Sequence, residues 1–149
     1  MHAPARVIAA LVLTAWTTSG QTQVQEIRQG DCLLRSSTVA SERIDPATAA
    51  QHAIVPADSR AVLNVLVLRN GAEAGTPVAA KVTASMQNLA GVRRDISLRE
   101  ANENGRVSYV GSSEFLPREV IDFNITALPA GAEPDGLLKL SYRERMWRY

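Results

Sequence analysis

A chain of 149 residues with one cysteine, two histidines and seven aromatic side chains has few groups with which to do covalent chemistry. Cys32 stands alone, so no intrachain disulfide can form and the fold must be held by its core. Gln29-Gly30-Asp31 precede it, not small residues following an apolar run, so Cys32 does not read as a lipid-anchored cysteine. It reads as a small buried side chain of the first strand. A zinc shell normally takes three or four His, Cys or carboxylate ligands. Beyond the first residues only His52 and Cys32 supply the His and Cys. A Ser-His-Asp triad would have to use His52, and no G-x-S-x-G elbow surrounds any serine. Asp95, Asp122 and Asp135 lack the Gly and Glu spacing of a calcium loop. Glu100, Glu103, Glu114 and Glu119 are the carboxylates left for glycoside-type hydrolysis, and they read as solvated loop charges. The shortage of aromatics also weakens a base-stacking or carbohydrate platform. No catalytic residue, cofactor or metal ligand is assigned.

What is present begins at the N-terminus. His2 and Arg6 precede an apolar run, Val7 to Trp16, which the small residues Thr17, Thr18, Ser19 and Gly20 follow. That order predicts a secretory signal peptide over residues 1–20 with cleavage near Gly20. The run is shorter than the roughly 20 apolar residues that span a bilayer, so no stable membrane insertion is expected after cleavage. The remainder carries 15 basic and 15 acidic side chains, because residues 1–20 hold one arginine and no acid. A formal charge of zero gives no field for nucleic acid or an anionic membrane.

Residues 21–30 read as a flexible lead-in, and residues 31–149 as one domain. Strand signals recur at short spacing. They cover Cys32–Val39, Arg60–Leu68, Val78–Gln87, Arg93–Glu100, Arg106–Gly111, Glu119–Leu128 and Leu137–Trp147. Arg60–Leu68 is apolar on both faces apart from Asn64, so it should be central. Val78–Gln87 alternates cleanly, as a half-buried strand does. Asn70-Gly71 and Asn104-Gly105 supply tight turns. Asp45-Pro46 caps one short helix running to His52. These features predict an all-β fold, an immunoglobulin-like antiparallel β-sandwich of about seven strands with one short helix. Leu63, Val65, Val82, Ile121, Phe123 and Leu140 should share one core. Asn124-Ile125-Thr126 fits a glycosylation triplet but reads as outward polar residues of a strand.

The ordered set Leu63-Asn64-Val65, Gly75-Thr76-Pro77-Val78-Ala79-Ala80 and Asn88-Leu89, after Ile44-Asp45-Pro46 and the helix, resembles a family of small proteobacterial exported proteins, domain of unknown function 4426. The resemblance covers roughly Gly30 to the C-terminus. It implies a periplasmic β-sandwich and carries over no catalytic residues. This chain departs from the family in its first strand, where Cys32 and Ser36 replace aromatics.

The functional expectation is an exported, periplasmic, non-catalytic module that binds an unidentified periplasmic protein or supports envelope assembly. A small-ligand binder or a weak carboxylate-based hydrolase is the alternative. The candidate interaction residues are Tyr142, Arg143, Arg145, Trp147 and Tyr149, because Tyr, Trp and Arg are enriched where proteins bind each other and a last strand often lies at a sheet edge.

Overall fold

The structure is a computed structural model that describes residues 23–69 and 75–147. The expected signal peptide, the Asn70-Gly71 turn and Tyr149 lie outside the described residues. Two antiparallel sheets pack face to face, as the alternating apolar phases require. The first sheet holds β1 (Gln23–Gln29), β2 (Cys32–Ala40), β3 (Arg60–Arg69), β8 (Arg106–Glu114) and β7 (Arg99–Glu103) in that spatial order, and β4 (Thr76–Pro77) pairs with the end of β3. The second holds β10 (Leu138–Arg145), β9 (Val120–Pro129), β5 (Ala80–Asn88) and β6 (Arg93–Ile96).

Three additions raise the seven expected segments to ten. Residues 23–29, read from sequence as a flexible lead-in, pair with β2 over their whole length. Gln, Glu and Arg alternate there with Val24 and Ile27, and such a polar edge strand carries little periodic signal. The short β4 is the second addition. The third comes from the segment 93–100, which divides. Arg93–Ile96 pairs with β5 in the second sheet, whereas Arg99 onward pairs with β8 in the first. The chain therefore crosses between sheets at Ser97 and Leu98. It passes so close to β8 that a Cβ at Gly111 would lie 2.4 Å from the Ser97 carbonyl oxygen. Only glycine fits beneath that crossing.

The main core joins both inner faces. Leu34, Leu63, Val65 and Val67 meet Ile121, Phe123, Ile125, Leu138 and Leu140, all buried. Five of the six expected core residues are fully buried, and Val82 is half-buried against the same cluster. β3 is central, as its apolar run requires. Its outer face is covered by helix α1 (Pro46–Gln51), whose Ala49 packs with Ile54 on Val62. The Asp45 carboxylate caps α1, accepting from the amides of Ala47 and Thr48 at 3.2 and 3.3 Å.

Candidate functional site

The residues expected to bind a partner divide according to the phase of β10. Tyr142 faces inward. Its ring stacks on Phe123 with centroids 5.2 Å apart, and its hydroxyl shares a 2.9 Å hydrogen bond with the Ser36 hydroxyl. Burial pushes the Tyr142 phenol up, and the Ser36 hydroxyl draws it partly back. Trp147 sits edge-on to Phe115 at 4.5 Å. Both aromatics therefore serve the interior. Arg143 and Arg145 point outward. Arg143 grips its cross-strand partner Asp122 through Nε and Nη2 at 2.7 and 3.0 Å. That hydrogen-bonded pairing lowers the Asp122 carboxyl and raises the guanidinium. β10 is an edge strand of its sheet. β1 of the other sheet runs beside it without pairing.

The same inward phase carries a residue the sequence reading passed over. Glu144 follows Leu138, Leu140 and Tyr142 on the core side. Burial pushes its carboxyl up to about 7. Its Oε2 has no hydrogen-bond partner among the described residues. Facing it from β2 is Thr38, which is fully buried. The Thr38 hydroxyl lies close enough to ease the ionised carboxylate, yet no contact of its Oγ1 has hydrogen-bond geometry. Ser36, Thr38, Tyr142 and Glu144 thus form a polar knot between apolar layers. The sequence signal was a glutamate at an apolar-phase position.

The carboxylates considered for hydrolysis are dispersed. Glu103 bonds His52 at 2.9 Å, Glu114 bonds Arg60 at 2.9 Å, and Glu119 lies 3.9 Å from Arg94. Glu103 stands at the turn end of the β7–β8 hairpin and Glu114 at the opposite end of β8. Each carboxylate faces a cation, not a second carboxylate. His52, with Asn64, Ser108 and Thr48, lines an open cleft of about 240 Å³ between α1 and the outer face of the first sheet. Asn64 is exposed there, so it needs no buried partner. Among the described residues no group of three His, Cys, Asp or Glu side chains could hold a metal ion.

Register places several loops at one end of the sandwich. The start of β3 lies beside the end of β8 and the end of β2, and the start of β9 lies beside the ends of β5 and β10. The Phe115 amide donates to the Ser59 carbonyl, and the Arg118 amide to that of Trp147. This end gathers Val55, Leu89, Val92 and Leu116, which are 68, 67, 56 and 65 % exposed. They are four of the five large exposed hydrophobics among the described residues, the fifth being Val24. Arg118 and Arg145 lie at the same end, both exposed.

A family model described as "Domain of unknown function (DUF4426)" matches residues 26–147. No curated protein sequence matches. Among solved structures, a DUF4426 family protein from Pseudomonas aeruginosa PAO1 superposes with a TM-score of 0.72 at 24% identity, covering 87% of this chain and 97% of the other. FetP of uropathogenic Escherichia coli strain F11, expressed recombinantly in the periplasm, gives 0.59 at 11% identity over 86 and 96% of the two chains. The copper-reconstituted P19 protein of Campylobacter jejuni gives 0.52 at 8% identity over 84 and 94%. These likenesses are of fold.

Proposed function

The chain belongs to the DUF4426 family, and we propose that it is an exported, non-catalytic sandwich, immunoglobulin-like in plan, that docks onto another protein of the periplasm through one end. The observation that carries this reading is the concentration of Val55, Leu89, Val92 and Leu116 on loops of a single end. A monomer gains nothing from aliphatic side chains held in water, and such patches mark interaction surfaces. Export is supported by the apolar segment Val7–Trp16 and by the fold shared with FetP, a protein produced in the periplasm. The dispersed carboxylates and the lone His52, already tied to Glu103, favour binding over hydrolysis. Trp147 acts from beneath this end, fixing the loop that carries Leu116. A photo-crosslinker placed at Leu116 in the exported protein should trap a partner of discrete mass, and one placed at Arg99 should not. Leu89→Asp with Leu116→Asp should abolish the adduct formed from Val55 while leaving the melting temperature unchanged. Equal adducts from Leu116 and Arg99, or adducts that survive the double substitution, would overturn the reading.

A further inference from the structure

We propose that the outer face of the second sheet is a binding site for a linear oligosaccharide. Strand register aligns its outward side chains in rows that cross the sheet. One row runs Ser141, Asn124, Ser85, Asp95 from β10 to β6. Beside it lies Lys139, Thr126, Thr83. The small members of these rows floor an open trough of about 700 Å³, and the long side chains Lys139, Arg93 and Asp95 form its rims. With strands about 4.8 Å apart, the trough spans about 14 Å from β10 to β6, long enough for several sugar rings.

An ordinary solvent-facing sheet is also polar, but three features go beyond that. First, Ser85 is only 4 % exposed. Its hydroxyl lines the trough and makes no hydrogen bond to another described residue. A buried, unpaired hydroxyl facing a cavity calls for a partner. Second, the floor is already braced. The Ser141 hydroxyl donates to Asn124 Oδ1 at 2.8 Å, and the Thr83 and Thr126 hydroxyls bond each other. Asn124 is thereby oriented with its amide hydrogens left to donate. Third, Asn124 and Ser85 are direct cross-strand neighbours. A ligand hydroxyl between them can accept from the Asn124 amide and donate to Ser85 Oγ, and a hydroxyl is a group that does both.

The charges select among polar ligands. Lys139 stands on one rim, and Arg93 stands 3.6 Å from Asp95 on the other. Mixed signs disfavour a polyanion and suit a neutral or zwitterionic chain. The trough presents no aromatic ring, so recognition runs through hydrogen bonds without stacking, and single-site affinity should be in the millimolar range.

The test titrates the purified protein with soluble N-acetylglucosamine oligomers and, in a second arm, mixes it with insoluble peptidoglycan. Amide shifts should cluster at Thr83, Ser85, Asn124, Thr126 and Ser141, and the protein should sediment with the peptidoglycan. Thr83→Val with Thr126→Val, which keeps side-chain volume, should weaken both by tenfold or more at an unchanged melting temperature. Asn124→Ala should do the same. Binding that persists in these variants, shifts mapping to another face, or no response to either probe would overturn the proposal. Because this face lies away from the docking end, crosslinking at Leu116 reports separately.

Discussion

Glu144→Gln tests the interior of the sandwich. Burial raises the Glu144 carboxyl from 4.5 to about 7. That difference corresponds to about 3 kcal/mol at roughly 1.4 kcal/mol per pH unit. The side chain is only half-buried, and solvent screening reduces the expected effect to about 1–2 kcal/mol. Its sign follows from proton counting. Below 4.5 the carboxyl is protonated in both folded and unfolded chains, and no penalty exists. Between 4.5 and about 7 the folded state holds a proton that the unfolded state has released, so stability falls as pH rises. Above about 7 both states are ionised and the penalty is complete. Glutamine keeps the shape and removes the charge. Chemical denaturation of both proteins should therefore give a variant more stable by about 1–2 kcal/mol near pH 8, with the advantage shrinking toward zero near pH 4. His52 titrates in both proteins and cancels in the difference. A gap that stays constant with pH, or a variant less stable throughout, would refute the argument that the carboxylate is desolvated beside Thr38.

Phe123→Ala should cost about 3–5 kcal/mol, because the ring is 2 % exposed and stacks on Tyr142; a loss below about 1 kcal/mol in urea unfolding would show that the ring does not fill the core. Trp147→Ala should lower stability by about 2 kcal/mol through its half-buried contact with Phe115, and unaltered melting would return this side chain to the surface. Gly111→Ala should cost about 1–3 kcal/mol, since the new methyl meets the Ser97 carbonyl oxygen; calorimetry showing no change would mean that the crossing is loose.

Much of this protein is legible without coordinates. The period-2 alternation in Val78–Gln87 and Glu119–Leu128 places Met86, Phe123 and Ile125 in the core because a strand presents alternate residues to one face whatever it pairs with. The continuous apolar run of β3 demands cover on both sides, and Asp45-Pro46 followed by small residues announces the helix that supplies it. The scarcity of His and Cys is a property of composition alone. Tertiary structure decided what depends on partners distant in the chain. Gln23–Gln29 is a strand because β2 has a free edge to receive it. Arg93–Glu103 divides between two sheets because Gly111 leaves room for the crossing. Tyr142 and Trp147 look like binding residues in isolation, yet packing against Phe123 and Phe115 makes them structural. Conversely, Val55, Leu89, Val92 and Leu116 are scattered over more than sixty positions and form one end only after folding. Local sequence sets the phase of each strand. Register and sheet pairing, which rest on contacts between residues far apart in sequence, decide which faces meet.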